Sequence, residues 1–380
     1  MQKTKKRRWP VYIIVLAVLA ALTLATALIV HGYTTGALAL FPRRSPVFTV
    51  QELNFDVGRN RVFEESNGAI AAAGTFGIQV LNADGEETLR DTFRLYTPAI
   101  TEHSGTFLAF DIGGTSLRKF TPNQVLREVS TTGQIVSATL NQNGWFTVVT
   151  QEPGAFRGTV QVYNSAGAVV YRVDLGSGFP ITAKLSENNE NLAILNLTNT
   201  GSRVTFYNGI SEDKEDPDFW FELTDTVIFD FEFITGDEIL AISTESVLRS
   251  STTGESVELF SFRGRRLGSY ALKGDFIALN LYDYGVGYSG QLITIDPEDG
   301  AIIAQSRVHR EIISMSVNYG WISILQSNEI TFFNELLEEY LASEETVMAL
   351  ATNRILVLGE NAALATSDNS ALIVHRLQED

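Results

Sequence analysis

The groups most able to do chemistry are few and scattered. The four imidazoles are His31, His103, His309 and His375, and no pair has the spacing that sets two ring nitrogens on one metal. The chain has no cysteine, which excludes disulfides, thiolate metal sites, Cys nucleophiles and lipid attachment through Cys. Asp296 and Asp299 in IDPEDG invite comparison with calcium ligands, but the spacing fails an EF-hand loop and a Pro-containing turn accounts for them. No serine-hydrolase, penicillin-binding or nucleotide-loop signature is read from the chain. Asp111, Glu238 and Arg354 stand as single polar candidates in different parts of it. Catalytic residues, metal ligands and cofactor-binding residues are therefore all expected to be absent.

Two segments have a composition suited to recognition instead. SEDKEDPDFWFEL, Ser211–Leu223, packs acids around Lys214 and Pro217 and then places Phe219, Trp220 and Phe221 in a row. LYDYGVGYSG, Leu281–Gly290, sets Tyr282, Tyr284 and Tyr288 in a glycine-rich loop. Exposed aromatics supply much of the energy at interfaces, so these six residues are the candidate partner contacts. The competing reading of Phe219–Phe221 is packing between strands.

The elements that must position them come from an internal repeat. Eight short apolar runs recur: Ala69–Gly74, Thr106–Asp111, Trp145–Thr150, Asn191–Asn196, Glu238–Ser243, Phe276–Leu281, Trp321–Gln326 and Arg354–Gly359. Their starts are 37, 39, 46, 47, 38, 45 and 33 residues apart. Each follows a strand-like segment and a tight turn, and most precede a strand that breaks at Asn or Asp and Gly. An uninterrupted apolar run means burial on both faces. Four antiparallel strands per unit, with the second nearly all apolar and eight units, read as an all-β β-propeller. Seven blades are the alternative, and Phe48–Phe55 is a candidate to complete the last blade. Trp145, Ile194, Leu240 and Ile324 are expected in one buried layer. Asn334–Ser343 fits either a short helix or a turn and outer strand.

A solvent argument governs the N-terminus. Residues 11–30 read VYIIVLAVLAALTLATALIV, twenty positions without a charge. At about 1.5 Å per residue a helix of this length spans a bilayer core of roughly 30 Å. Lys3, Lys5, Lys6, Arg7 and Arg8 precede it and only Arg43 and Arg44 follow closely, an asymmetry that keeps the N-terminus cytoplasmic. Cleavage at Ala37-Leu38-Ala39 is the rival, but the apolar run exceeds a signal-peptide core of about 7–15 residues. The organisation expected is a basic tail at 1–10, a transmembrane helix at 11–30, a linker at 31–47 and an extracytoplasmic propeller at 48–380. Residues 1–44 hold seven Lys/Arg and no acid, so against a net charge of −17 the remainder carries −24. Such a domain is a poor binder of nucleic acid or anionic wall polymers.

The turns Asn82-Ala83-Asp84-Gly85, Asn164-Ser165-Ala166-Gly167 and Pro297-Glu298-Asp299-Gly300 give the chain its family likeness. With the basic tail and single anchor, it resembles membrane-anchored WD40-like or PQQ-like propellers of bacteria, a family of unknown function common in Gram-positive anaerobes. It lacks the recurring Trp-Asp of WD40 repeats and the Trp-docking repeat of quinoprotein dehydrogenases, so quinone binding is not carried over. The resemblance implies no activity. The expected function is a membrane-tethered scaffold binding an envelope protein, peptide or glycan, with no enzyme activity. The alternative is an envelope hydrolase or lyase with its site on the propeller axis.

Overall fold

The computed structural model describes residues 48–376, apart from 153–156, 212–213, 273–274, 286, 328, 344–351, 361 and 369. The expected span at 11–30 and linker at 31–47 lie outside the described residues. No described helix is long and apolar enough to cross a membrane.

The described strands form eight four-stranded antiparallel sheets, which excludes the seven-blade alternative. In blades 1 to 7 the four strands follow one another in sequence, as in Val62–Ser66, Ala69–Gly74, Gly77–Leu81 and Glu87–Thr92 of blade 1. First strands of adjacent blades touch along most of the ring, and that of blade 8 reaches that of blade 1. Blade 8 is built from both ends of the propeller. Arg354–Gly359, Ala362–Thr366 and Ala371–Arg376 are joined by Phe48–Leu53 as the outer strand, with Phe48 opposite Arg376 and Leu53 opposite Ala371. The ring therefore closes through main-chain hydrogen bonds between its two ends.

The repeat is explained by where the second strands sit. Leu240 and Ile242 enter the core between blades 5 and 6, while Ile239 and Ala241 enter the core between blades 4 and 5. Each face of a second strand thus belongs to a different interblade core, so alternation of polar and apolar residues disappears. Ile194, Leu240 and Ile324 are buried as expected. Trp145 sits just before its strand, Phe146–Gln151, and only part-buried. Arg354–Gly359 was expected as a second strand but is the first strand of blade 8, and Ala362–Thr366 is the second. Its start lies 41 residues after Trp321, which removes the short last spacing. Asn334–Ser343 resolves into a turn and the outer strand Glu339–Ser343.

A meander of this kind has two unlike ends. One, here the turn face, carries the turns between strands one and two and between three and four. The other, the link face, carries the turns between strands two and three and the connections between blades. On the turn face Asn67-Gly68, Ser104-Gly105 and Tyr319-Gly320 are two-residue loops with both φ values positive, the hairpin turns whose twist matches the strands. In six blades the pairing of third and outer strands slips by one residue, for example between Val80 and Leu81 and between Val162 and Tyr163. Such bulges twist an exposed edge away from flat pairing with another chain.

Candidate binding surfaces

On the turn face, polar side chains of the first strands and of the turns that follow them gather at the axis. Glu64, Glu65, Glu102, Asp275 and Tyr319 line a cavity of about 340 Å3. Glu65 is only 5% exposed. Its carboxylate accepts from the Gly68 N–H at 2.8 Å and lies 3.3 Å from the Tyr319 hydroxyl, which in turn accepts from the Asn67 N–H. Burial pushes the Glu65 carboxyl above the usual carboxylate range, and the charges of Glu102 and Glu64 add to this against those hydrogen bonds. Tyr319 holds φ at +54°, a conformation uncommon outside Gly and Asn, so its ring is placed by the hairpin turn of blade 7 against blade 1. Arg354 closes the same seam, 2.8 Å from Glu64.

Farther round the axis, Lys184 of blade 4 donates to Asp230 at 2.9 Å and Glu232 at 2.7 Å, both on blade 5. Burial would depress this amine, but Glu232 and Asp230 outweigh it and hold the ammonium above its usual range. Burial raises Asp230 in spite of Lys184. It also pushes Tyr270 of blade 6 up to about 12, with Asp230 adding to the effect. Lys184 and Arg354 thus tie neighbouring blades at the axis, while Glu65 and Glu102 also accept from N–H groups of their own hairpins.

The link face differs in kind. Phe76 and Tyr96 are 62% and 68% exposed, and Phe179, Phe229 and Tyr284 also show their rings to solvent. These rings stand on ordered backbone. The Phe76 N–H donates to the Val57 carbonyl at 2.8 Å, and the Phe93 N–H to that of Phe76 at 3.1 Å. Buried Asp111 accepts from the Tyr96 and Thr97 N–H groups at 2.8 and 2.7 Å through one oxygen.

The six residues expected as contacts separate under this geometry. Tyr282 is 2% exposed and its hydroxyl accepts from the Ile312 N–H at 2.7 Å, so it is a packing residue and not a contact. Phe219 and Phe221 are part-buried on the outer strand of blade 4, packed against the core between blades 4 and 5, with Phe219 stacked on Phe206. Trp220, between them, is 50% exposed beneath the Arg203 guanidinium. Tyr284 is 67% exposed. Tyr288 is 44% exposed, with its ring edge-on to Tyr282 and its hydroxyl bonded to Glu311. Alternation explains the split, because the outer strand turns Trp220 out and its neighbours in.

The polar candidates are tied up locally. Asp111 caps backbone, Glu238 pairs with Arg249 at 2.7 Å, and Arg354 pairs with Glu64. Asp296 and Asp299 accept from N–H groups of their own turn. Among the described residues no three His, Asp or Glu side chains are grouped to hold a metal. Three short signature matches passed over in the sequence reading also lie in hairpins. Ser116–Lys119 and Ser211–Lys214 fit S-x-x-K, yet Lys119 is buried and donates to the Gly144 and Ser165 carbonyls, and Lys214 pairs with Asp218. Gly285–Gly290 fits G-x-G-x-x-G but joins two strands of blade 6, with no helix N-terminus for a phosphate. The sequence reading also missed Phe76 and Tyr96. An aromatic beside Gly77 in a short turn was the available signal for the first.

The model of a family of unknown function (DUF5711) matches residues 49–347. No curated protein sequence matches the chain. Among solved structures, the C-terminal WD40 domain of Sif2 is similar with a TM-score of 0.65 at 13% identity, covering 88% of this chain and 99% of that one. BamB from Moraxella catarrhalis is similar with a TM-score of 0.53 at 13% identity, covering 87% of this chain and all of that one (100%). At such identities the likeness is one of fold.

Proposed function

The chain belongs to the family of unknown function just matched, and from that premise we propose that it is a membrane-tethered, extracytoplasmic β-propeller whose link face binds another macromolecule. The observation that carries this reading is the contrast between the two ends. At the axis Lys184 and Arg354 are tied to carboxylates, and Glu65 and Glu102 accept from backbone N–H groups, whereas the link face carries most of the exposed loop rings on hydrogen-bonded backbone, an arrangement suited to interface anchors. A closed ring with short edges presents loops without exposing flat strands. The non-enzymatic reading is supported by Asp111, Glu238 and Arg354, which are held in separate structural bonds in blades 2, 5 and 8. The tether reading rests on the apolar run at 11–30 and its flanking charges. Phe48 starts at the turn-face end of blade 8, because it pairs with the last residue of Ala371–Arg376.

Two measurements test the parts separately. Protease added to intact cells should digest the propeller; full protection until lysis refutes the topology. Proximity labelling from the full chain should mark a partner whose capture falls when Tyr284→Ala is introduced. Capture unaffected by changes anywhere on the link face refutes the binding surface.

A further inference from the structure

We propose that the link-face cleft formed by the 75–76 turn of blade 1 and the 92–96 link toward blade 2 docks an acidic protein segment, an extended stretch in which a carboxylate flanks an aromatic or branched aliphatic side chain. The proposal rests on the reading of the link face as a binding surface and specifies its ligand. The cleft is about 560 Å3, and Phe76, Phe93, Leu95 and Tyr96 supply most of its wall. Arg94 is the one charged residue lining it. Its guanidinium lies 5.8 Å from the Tyr96 ring and donates to that hydroxyl at 3.4 Å, with no carboxylate in ion-pair reach among the described residues.

A guanidinium without a carboxylate is open to a ligand's, and among the described residues Arg94 shares that state with Arg59 and Arg307, whereas Arg127 is spent on the Ala166 carbonyl. Arg90, Arg118, Arg249, Arg263, Arg310 and Arg354 all hold carboxylates. The same arrangement recurs on this face: Arg157 lies 5.5 Å from the Phe179 ring and Arg266 lies 5.0 Å from that of Tyr282, neither in an ion pair among the described residues. Arginine beside aromatic rings is the composition of interface centres, and an unpaired guanidinium fits a carboxylate in two parallel hydrogen bonds. Charge selects the class of partner. A domain near −24 repels polyanionic surfaces over its whole extent, whereas a segment with a few carboxylates meets Arg94 inside a screening length of about 8 Å. The acidic turn face repels the same segment, which confines it to one end of the ring.

The test uses the full chain in neutral detergent and fluorescein-labelled Ser-Asp-Glu-Phe-Asp-Leu-Glu-Ser, read by fluorescence anisotropy. Its counterpart with Asn and Gln in place of the acids is the control. The acidic peptide should bind about tenfold tighter than the amide form, and Arg94→Glu should remove that preference while Arg94→Lys keeps part of it. Phe76→Ala and Tyr96→Ala should each weaken binding about five- to tenfold at an unchanged melting midpoint. Equal binding of both peptides, or an Arg94→Glu chain that still prefers acid, overturns the proposal. So does Arg94-dependent binding to phosphatidylglycerol vesicles without peptide binding, or Arg94-dependent self-association in its place. If Tyr284→Ala abolishes capture of the cellular partner while neither peptide binds, the binding surface stands and this ligand assignment falls.

Discussion

The Arg354 guanidinium lies 2.8 Å from the Glu64 carboxylate, an ion pair between residues 290 positions apart that ties the first strand of blade 8 to that of blade 1. It marks the seam of the ring without being its fastening. Arg354 is 40% exposed at the side chain, and exposed pairs contribute about 0–1 kcal/mol. Arg354→Met should therefore lower stability by under about 1 kcal/mol. Replacing Gln51 and Leu53 by Pro, which removes ladder donors opposite Ile373 and Ala371, should cost several times more. Thermal unfolding of the full chain followed by circular dichroism checks both, and equal losses would reverse the ranking.

Lys184 is the opposite case, since its side chain is 15% exposed and faces two carboxylates. Lys184→Met leaves Asp230 and Glu232 facing one another without a cation, at a cost of about 3–5 kcal/mol near neutral pH. The amine is held above its usual range, so its contribution is complete below that range and fades as pH rises through the raised value. Toward acid the deficit of the variant should shrink as the carboxylates take up protons. Urea midpoints of both chains from mildly acidic to alkaline pH show whether it does.

Glu65 has the same sign in a lower pH window, because its folded-state carboxyl is also raised. Its carboxyl is raised in the folded state, so the native chain holds its proton more tightly and folding is penalised as pH climbs through the raised value. Gln at this position can still accept from the Gly68 N–H and the Tyr319 hydroxyl. Glu65→Gln should raise the melting temperature at neutral pH, and the gain should vanish below the ordinary carboxylate range. A gain independent of pH would detach it from ionisation.

Burial separates the neighbours Tyr282 and Tyr284. Tyr282→Ala removes a buried ring and leaves the Ile312 N–H without its acceptor, which should cost about 3–5 kcal/mol. Tyr284→Ala should leave the melting midpoint nearly unchanged and weaken partner capture by about 1–2 kcal/mol. Differential scanning calorimetry and a capture titration on the same pair of variants decide the matter.

In blade 8, Leu364→Ala on the second strand should cost about 2–5 kcal/mol, because Leu364 is buried in the core between blades 8 and 1. Leu356→Ala on the first strand, whose side chain is only part-buried, should cost less. Equal melting temperatures for the two would place the strands as first read from sequence.

Why one run misled is physical. RILVLG is as apolar as any true second strand, since Ile355 enters an interblade core and Val357 is buried, and the genuine one, AALAT, is mostly alanine. Periodicity registers apolar content and not position within a sheet, so the ring and its eight blades were legible while strand rank in the last blade was not. Which rings of the two aromatic segments are buried was not legible for a related reason. In FWFEL an outer strand turns alternate rings inward, and sequence gives no phase for an isolated strand. Tyr282 went unrecognised as core because the acceptor role of its hydroxyl for the Ile312 N–H depends on the connection between blades 6 and 7, some thirty residues on. Phe76 and Tyr96 stand out only once Val57 and Asp111 fix the backbone beneath them.

Pairing Phe48–Leu53 with Ala371–Arg376 also orders events in time. The first strand of the propeller to be synthesised is the last to find its partner, and until then it waits as an unpaired edge. Closure is thus the contact of greatest sequence separation, the slowest kind to form and the one most exposed to mispairing. A chain halted anywhere before Ala371 has seven possible blades and no latch. The outer strand of blade 8 therefore reports that the third strand of that blade has been made, and proteases that seek loose edges would find every product shortened before it marked.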